Sequence, residues 1–288
     1  MFLCVIMKHN YAIKAEMETT MEIQMWKEIL TPYDLAVEEL QIKFNHIIKE
    51  YRQAGVYSPI EQVLGRVKSI SSIIEKAQRR GIEIDKIQEK LFDIAGIRLI
   101  CQFTEDIYTV VKLIKKRKDM TVISEKDYIK NIKESGYRSY HVIINYPINS
   151  IAGYKEIICE IQIRTLAMNF WATIEHSLKY KYEHYIPEDV AVRLRRAADA
   201  AFLLDQEMSE IREEIMKAQV MFQAKSITIR EVLAMIQELY DLGEISRAIN
   251  YQRRLDRIDS QKDIKEIEAL KKEVEEILQY YKGTRIDY

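Results

Sequence analysis

Two carboxylates that accompany apolar, strand-like segments are the residues of this chain best suited to chemistry. Asp93 stands just before the apolar run 97–103, and Glu160 lies in the run 155–164, where apolar and polar side chains alternate. On neighbouring strands, both carboxylates can hold one Mg²⁺ whose other octahedral positions are filled by phosphate and water. The pair therefore predicts a phosphoryl-transfer site. The competing interpretations are an N-cap or a surface ion pair for Asp93, and a solvated sheet face for the strand.

The alternation in 155–164 predicts a strand with two different faces, because successive side chains point to opposite sides of a sheet. The apolar face carries Ile157, Cys159, Ile161 and Ile163, and the other face carries Ile158, Glu160, Gln162 and Arg164. Three polar groups in a row can line a binding cleft or face water, so the strand alone does not decide between these roles.

Charge is distributed unevenly along the chain. The whole chain carries 44 Lys and Arg against 45 Asp and Glu, a net charge of −1, and so gives no reason to expect a nucleic-acid partner. Residues 66–138, however, carry 17 Lys and Arg against 11 Asp and Glu, a net charge of +6, whereas the remainder carries −7. The basic residues of interest are Arg66, Lys68, Lys76, Arg79 and Arg80, and Lys133, Arg138 and His141 around the turn at Gly136 and Tyr137. Basic side chains with an aromatic residue among them suit a polyphosphate that carries a stacked base.

Glycine is scarce, with 8 in 288 residues, and the sequence contains neither a Walker-type phosphate loop nor a dinucleotide fingerprint. Phosphate binding must therefore rest on Arg and Lys side chains rather than on a glycine-rich backbone cradle.

Helix signals divide the first part of the chain. Thr31 and Pro32 have the character of an N-cap and a first helical residue, and the helix they begin is predicted to end at Gly55. A second helix is predicted from about residue 69 to residue 80, with Gly81 as its stop.

A strand over 97–103 follows, and Thr104 can cap the helix after it. Two more strand-like runs cover 140–146 and 155–164, and from about Leu166 the pattern is helical throughout. The sequence therefore predicts a mixed α/β core with helices on either side of it in the chain.

We place the α/β core at about 60–165, within a larger domain covering 26–220. Residues 1–25 are expected to be a poorly ordered N-terminal segment, and 221–288 a helical C-terminal extension. Near the end of the chain, apolar residues follow an a/d-like spacing over about two heptads: Ile267, Leu270, Val274, Ile277 and Tyr281. Two heptads are too few for an independent coiled coil, so this stripe should pack on this chain or on a partner subunit.

The composition excludes several classes of protein. No apolar run approaches the roughly 18 residues of a membrane helix. A secretory signal would have a basic residue before its apolar run, and the N-terminal apolar run of this chain has none. Cys4, Cys101 and Cys159 are odd in number and lie in apolar surroundings, which indicates reduced thiols and a cytoplasmic protein.

Six segments in order resemble the synthetase domain of the RelA/SpoT family, and together they cover roughly residues 26–215. They are Arg66-Val67-Lys68 with Ser72 and Lys76; Asp93-Ile94-Ala95-Gly96-Ile97-Arg98; Lys126-Asp127-Tyr128; Gly136-Tyr137-Arg138-Ser139-Tyr140-His141; Glu160-Ile161-Gln162-Ile163-Arg164-Thr165; and Phe170-Trp171-Ala172-Thr173-Ile174-Glu175-His176 with Lys179-Tyr180-Lys181. Each segment is a weak signal, but six in order with compatible spacing are specific.

The resemblance implies an α/β (α+β) fold, with a mixed-sheet, nucleotidyltransferase-like core flanked by helices. It implies a pyrophosphokinase that uses Mg²⁺ to move the β,γ-pyrophosphate of ATP to the 3′-OH of GTP or GDP, making (p)ppGpp. Only about 60 residues precede Arg66, and no later segment resembles the regulatory domains of long family members. The expectation is a small, stand-alone alarmone synthetase without hydrolase activity, assembled as a homotetramer.

The family's residue roles carry over by motif. Arg66 and Arg98 match the pair that sandwiches the donor adenine, and the donor-phosphate contacts match Lys68, Ser72 and Lys76, with Arg79 a weaker candidate. Asp93 and Glu160 match the Mg²⁺ carboxylates, and Glu160 also matches the residue that takes the proton of the acceptor 3′-OH. Tyr137 matches the aromatic residue that stacks on guanine, and the other acceptor contacts match Lys133, His141, Gln162 and Asn169. For Arg164, Glu175 and His176 a structural and a functional role remain equally open.

Two alternatives remain beside this interpretation. The same fold and chemistry could serve another acceptor, the 3′ end of tRNA or an adenine nucleotide, and the residues of the guanine site discriminate between these. The chain could instead be a catalytically silent nucleotide-binding assembly module, in which case paired carboxylates facing a basic pocket would have no use.

Overall fold

The computed structural model describes residues 2–181, 187–258 and 264–284, with side chains described over 24–179, 187–258 and 264–282. The chain divides after Ser209 into two compact units. The predicted boundaries after residues 25 and 220 fall inside long helices. The side chains of the N-terminal segment before Gln24, including Cys4, lie outside the described residues.

A five-stranded mixed sheet forms the centre of the first unit. The strands are β1 (Gln62–Val67), β2 (Ala95–Cys101), β3 (Thr121–Asp127), β4 (Tyr140–Ser150) and β5 (Gly153–Thr165), in the spatial order β1-β2-β5-β4-β3. The pair β2–β5 is parallel, and the other three pairs are antiparallel. This arrangement confirms the predicted mixed sheet.

Along the chain, helices precede, separate and follow the strands of the sheet. They are α1 (Phe2–Gln53), α2 (Ile70–Arg80), a 3₁₀ turn (Ile84–Lys86), α3 (Ile87–Lys90), α4 (Thr104–Lys116), α5 (Leu166–Lys181) and α6 (Glu188–Asp241). Two more helices, α7 (Ile245–Arg257) and α8 (Ile264–Thr284), complete the described chain. From Leu166 onward the described residues contain helices and their connections, as predicted.

One face of the sheet is apolar and packs against α1 and α4. The alternation predicted for β5 is confirmed, since Ile157, Cys159, Ile161 and Ile163 are all buried. Helix α1 contributes Leu40 and Phe44 to the same core, and α4 contributes Ile107, Val110 and Ile114. Covering this face leaves the polar face of the sheet available for binding.

The prediction that a helix begins at Pro32 is wrong. Pro32 lies inside α1, which runs without a break from Phe2 to Gln53. Thr31 Oγ1 donates a hydrogen bond back to the carbonyl oxygen of Lys27, at 2.7 Å, instead of capping the residues that follow it. A Thr-Pro pair therefore has two outcomes, because the same hydroxyl can bond to the preceding turn when the helix continues.

The cap predicted for α4 is displaced by one residue. Phe103 is the N-cap, and its backbone N–H donates to Asp106 Oδ2 at 3.2 Å. Thr104 Oγ1 is buried and has no hydrogen-bond partner among the described residues. The side chain that caps the start of α4 is therefore the carboxylate of Asp106, at the third helical position, and not the hydroxyl of Thr104.

The ends of α2 follow the prediction. Ser69 Oγ accepts a hydrogen bond from the backbone N–H of Ser72, and Gly81 ends the helix with φ of 63°. Strand β3, in contrast, was not predicted. It is an edge strand with a register shift between Val122 and Ser124, and most of its residues are exposed, so it lacks a regular apolar alternation.

The second unit begins at Glu210 and has a core of its own. Its buried residues lie on the last part of α6, on α7 and on α8, and they are Val232, Ile236, Leu239, Ala248, Tyr251, Leu255, Ile267, Leu270, Val274 and Leu278. The predicted terminal stripe therefore packs within this chain at Ile267, Leu270 and Val274. The division of the chain at 220 stays a prediction.

Cys101 and Cys159 are free and buried, as expected. No helix in the described part of the chain has the length and apolar character needed to cross a membrane.

Candidate active site

The register of four strands gathers the predicted site residues on one face of the sheet. Gly96 of β2 pairs with Glu160 of β5, and Arg98 pairs with Gln162. His141 of β4 lies opposite Gln162. Arg66 of β1, the strand on the other side of β2, lies opposite Gly96. Since alternate residues share a face, these side chains form one continuous polar surface.

Three adjoining hollows lie over this surface. The β1 hollow is lined by Leu64, Gly65, Arg66, Asp93, Gly96, Ile97, Arg98, Glu160 and Gln162. The α5 hollow is lined by Arg66, Asp93, Arg98, Lys133, Ser135, Tyr137, His141, Glu160, Gln162, Arg164, Ala172, Thr173, Glu175, His176 and Lys179. The β3 hollow is lined by Lys76, Arg80, Phe92, Asp93, Ser124, Glu125, Lys126, Tyr128, Lys133, His141, Ile143 and Glu160. Asp93 and Glu160 line all three, so the two carboxylates stand where the hollows meet.

Asp93 is held by two lysines of different elements. Its Oδ2 accepts hydrogen bonds from Lys68 Nζ at 2.7 Å and from Lys76 Nζ at 2.5 Å. Burial raises the pKa of Asp93, but the two lysines outweigh burial and hold that pKa below its usual value. Burial lowers the pKa of Lys76 despite the carboxylate beside it. Asp93 is therefore ionised, and its Oδ1 is buried without a hydrogen-bond partner among the described residues.

Glu160 is held by its neighbours on β4 and β5. Its Oε1 lies 2.9 Å from His141 Nδ1, and its Oε2 accepts a hydrogen bond of 2.8 Å from Gln162 Nε2. Burial raises the pKa of Glu160, but His141 and Gln162 bring the net pKa below its usual value. The carboxylate is thus ionised and able to accept a proton.

The aromatic ring of Tyr137 is fixed through its hydroxyl. The Tyr137 Oη lies 2.8 Å from His141 Nε2 and accepts a hydrogen bond of 2.6 Å from Arg164 Nη2. Arg164, only 4 % exposed, also donates to Gln162 Oε1 at 2.6 Å. Arg164 therefore lines the α5 hollow and donates hydrogen bonds to two predicted acceptor residues, Tyr137 and Gln162.

Lys133 lies between two aromatic rings. Its Nζ is 4.6 Å from the centre of the Tyr137 ring and 4.4 Å from that of Tyr128. Burial lowers its pKa. The Tyr128 ring in turn meets the His141 ring edge-on at 5.1 Å. Sequence reasoning assigned no role to Tyr128, although it lies in one of the six quoted segments.

The predicted donor residues line all three hollows. Arg66 and Arg98 line both the β1 and the α5 hollow, and Arg98 Nε is buried without a hydrogen-bond partner among the described residues. Burial, together with the charges of Arg164 and Arg66, lowers the pKa of Arg98. Lys76 lines the β3 hollow, and Lys68 reaches Asp93.

Some predicted residues lie apart from these hollows. Ser72 is in the first turn of α2, where its Oγ accepts a hydrogen bond of 2.9 Å from Ser69 Oγ. Arg79 is exposed on the last turn of α2 and is not among the lining residues, whereas its neighbour Arg80 lines the β3 hollow. Asn169 is also absent from the linings, and its Oδ1 is buried without a partner among the described residues.

Helix α5 closes the other end of the site. Glu175 and His176 line the α5 hollow, and Glu175 forms an ion pair with Lys179, one turn later on the same helix. Lys179 lines the α5 hollow as well and was quoted in a matched segment without a role.

Metal binding by this site rests on two carboxylates. The described residues contain no group of three or more His, Cys, Asp and Glu side chains placed to hold a metal ion. Mg²⁺, however, is commonly held by one or two carboxylates together with substrate phosphates. The unpartnered Oδ1 of Asp93 is a donor atom of the kind such an ion needs, so the residues present fit this ion.

A mixed sheet whose polar face joins two ionised carboxylates, several cations and a fixed aromatic ring is the arrangement expected of a nucleotide-dependent phosphoryl-transfer enzyme. A family model described as a region found in RelA / SpoT proteins matches residues 65–185. The GTP pyrophosphokinase YjbM of Bacillus subtilis is 53% identical over 205 residues, which are 71% of this chain and 97% of the relative. The chain belongs to the RelA/SpoT family.

Solved structures agree in fold. Small alarmone synthetase 1 from Bacillus subtilis, bound to its product pppGpp, matches with a TM-score of 0.65 and 53% identity, covering 67% of this chain and 98% of that chain. The same protein bound to AMPCPP matches with a TM-score of 0.61 and 48% identity, covering 67% of this chain and 99% of that one. About a third of this chain therefore has no counterpart in those structures.

Proposed function

We propose that the protein is a pyrophosphokinase that transfers the β,γ-pyrophosphate of ATP to the 3′-OH of GTP or GDP. The observation that carries the proposal is the position of Asp93 and Glu160, which line all three hollows of one polar cleft. A donor and an acceptor nucleotide in adjoining hollows would both reach these carboxylates. The relatives named GTP pyrophosphokinase support the same reaction.

The β1 hollow is the proposed donor site. Arg66 and Arg98 lie on adjacent strands of the same face, and planar guanidinium groups can stack on both sides of an adenine ring. Lys68 and Lys76 reach the carboxylate of Asp93, so their charges are available to the donor phosphates there. The AMPCPP bound to the structural relative supports an adenine nucleotide as donor. Ser72 and Arg79 remain proposals by family resemblance.

The α5 hollow is the proposed acceptor site. Tyr137 would stack on guanine, with its ring held by Arg164 and His141 through its hydroxyl. Lys133 and Gln162 line the same hollow and would contact the acceptor, and Asn169 remains a proposal by resemblance. The pppGpp bound to the structural relative supports a guanine nucleotide in this role.

Glu160 would accept the proton of the 3′-OH as the acceptor oxygen forms its bond to the β-phosphorus of ATP. The bond between the β-phosphorus and the oxygen bridging to the α-phosphate breaks, and AMP leaves. The lowered pKa of Glu160 keeps the carboxylate ready for this proton, while Lys68 and Lys76 offset the charge of the phosphates. Asp93 and Glu160 would hold Mg²⁺, which when bound would neutralise the negative charge of the donor phosphates. Positioning and electrostatics supply most of the catalysis in such a reaction.

The test is an acceptor assay with purified protein, Mg²⁺ and γ-labelled ATP. GTP, GDP, ATP and tRNA are offered separately, and the labelled product is identified. We expect label on GTP and GDP. Label on tRNA alone, or on an adenine nucleotide alone, would show the alternative acceptor, and no transfer to any acceptor would favour a silent nucleotide-binding module.

We also propose that the protein is a homotetramer. Helix α5 carries an exposed apolar row made of Leu166, Phe170 and Ile174, which are 53, 69 and 41 % exposed. These residues are four apart and so lie on one side of the helix, as an oligomer interface requires. Light scattering after size-exclusion chromatography measures the mass of the assembly in solution. Phe170→Glu should lower that mass. A monomer in the wild-type protein at micromolar concentration would contradict the proposal.

A cytoplasmic location is proposed with it, supported by the free, buried thiols of Cys101 and Cys159. Cell fractionation followed by immunodetection tests this location, and detection in a secreted or membrane fraction would contradict it.

A further inference from the structure

Arg138 is a buried arginine next to the ring proposed to stack on the acceptor base. It is 6 % exposed and does not line any of the three hollows described above. Its Nη1 donates to the carbonyl oxygens of Gly136, at 3.1 Å, and Ala198, at 3.3 Å. Its Nη2 donates to Asp199 Oδ1 at 2.9 Å. One guanidinium group therefore joins the turn before Tyr137 to the first part of α6.

Packing on α6 strengthens this connection. The Arg138 guanidinium lies 4.5 Å from the centre of the Phe202 ring, a geometry that adds a cation–π contact. The turn itself approaches the helix closely at Gly136, where a Cβ atom would come within 2.7 Å of Ala198 Cβ. Gly136 also has φ of 86°, so the turn needs glycine for its conformation as well as for this approach.

The same turn carries Lys133 and Tyr137, two of the residues proposed to contact the acceptor. The backbone N–H of Gly136 donates to the carbonyl oxygen of Lys133 at 2.8 Å, which closes the turn between Lys133 and Tyr137. The Tyr137 ring packs against the buried cluster of Trp171, Ala172 and Ala198. A shift of the turn away from α6 would therefore move Lys133 and Tyr137 together.

We infer that Arg138 is a positioning residue for the acceptor nucleotide, which acts by holding the 133–137 turn against α6. This inference rests on the proposed function, because it takes the α5 hollow as the acceptor site. Arginine suits the task better than lysine, since its planar fork reaches two carbonyl oxygens and a carboxylate at once. The residues of the donor site take no part in these contacts. Loss of the Arg138 contacts should therefore weaken binding of the acceptor nucleotide and not binding of ATP.

The experiment compares Arg138→Gln, Arg138→Lys and Asp199→Asn with the wild-type chain. Asp199 has a side chain 52% exposed, and Asn keeps an oxygen that can accept the hydrogen bond from Arg138, so this substitution removes the charge of the pair and keeps its shape. Arg117→Gln is the matched control, because Arg117 forms a comparable pair with Asp119 through two hydrogen bonds but does not line the three hollows. KM and kcat are measured for GTP and ATP, together with equilibrium binding of a fluorescent GTP analogue and the unfolding midpoint.

We expect Arg138→Gln to raise the KM for GTP about 10-fold and to weaken binding of the GTP analogue equally, with the KM for ATP changed less than about two-fold. Arg138→Lys and Asp199→Asn should each raise the KM for GTP about three-fold, and Arg117→Gln should change neither KM. An unchanged KM for GTP in folded Asp199→Asn and Arg138→Lys, or a parallel rise of both KM values, would overturn the inference. Failure of the proposed function would show itself differently, as a wild-type protein that transfers nothing to guanine nucleotides.

Discussion

His141 Nδ1 lies 2.9 Å from Glu160 Oε1, so the carboxylate proposed to accept the proton is oriented by a residue of the proposed acceptor site. Arg164 Nη2 donates to the Tyr137 hydroxyl, whose oxygen also lies 2.8 Å from His141 Nε2. Because Glu160 is ionised, His141 Nδ1 donates its proton in the hydrogen bond to that carboxylate. A chain of hydrogen bonds thus links the ring proposed to stack on the base to the carboxylate proposed to accept the proton, so a substitution at one of these residues should affect the function of the other.

Two substitutions of Tyr137 distinguish the role of its aromatic ring from the role of its hydroxyl. We expect Tyr137→Ala to raise the KM for GTP roughly 10- to 100-fold, because stacking on an aromatic ring is worth about 1–3 kcal/mol per base. Tyr137→Phe should keep the KM for GTP within a few fold and lower kcat, since the ring remains but the hydrogen bond to His141 is lost. Steady-state kinetics for both substrates measure this split. Equal kinetics for the two variants would contradict the stacking role.

Asp93→Asn and Glu160→Gln should each lower kcat by roughly 100-fold or more, because each removes a charge at the point where the three hollows meet. Both replacements keep the shape of the side chain, so each variant should remain folded. Product formation from labelled ATP and GTP measures the loss. Near-wild-type turnover in either variant would remove that residue from the proposed chemistry.

Gly96 offers a way to close the β1 hollow from its floor. A Cβ atom at this position would meet nothing nearer than the carbonyl oxygen of Arg66, at 3.8 Å, so the backbone can accept a side chain. We expect Gly96→Leu to raise the KM for ATP about 10-fold or more by filling the proposed adenine site, with the KM for GTP nearly unchanged. Gly96→Ala, with its smaller side chain, is the control and should have a mild effect. A rise in the KM for GTP alone would show that the donor and acceptor sites are exchanged.

Asp205 makes the stability of the first unit depend on pH. Burial raises its pKa from 3.8 to about 6, while a hydrogen bond of 2.6 Å from Thr165 Oγ1 opposes that rise. The folded state therefore binds this proton more tightly than the unfolded state does. Its contribution to the free energy of unfolding is full below about pH 4 and is lost as pH rises through about 6.

Asp205→Asn should remove this pH dependence and, above pH 7, raise the free energy of unfolding by on the order of 1 kcal/mol. Denaturant titrations of the wild-type and variant proteins at pH 5 and pH 8 measure the difference. The same pH dependence in both proteins would show that Asp205 does not titrate in this range.

Local patterns in the sequence predicted much of the framework of the site. The alternation in β5 placed Glu160, Gln162 and Arg164 on one face, because side-chain direction in a strand depends only on sequence spacing. Gly81 marked the end of α2 for a similar reason, since a helix cap acts over three or four residues. The helix start predicted at Thr31 and Pro32 was wrong because a local pattern cannot show whether tertiary packing continues a helix through that pattern.

The sequence by itself thus determined which residues have the right chemistry and which face of β5 Glu160, Gln162 and Arg164 occupy, and its six ordered segments indicated the family. Only the tertiary structure decided that β2 pairs with β5, which brings Gly96 beside Glu160 and lets Asp93 and Glu160 share one cleft. It also decided the place of Tyr128 beside Lys133 and His141 and the contacts of Arg138 with α6. These relationships join residues far apart in the chain, and pairing between distant segments depends on the whole packed core rather than on any local pattern.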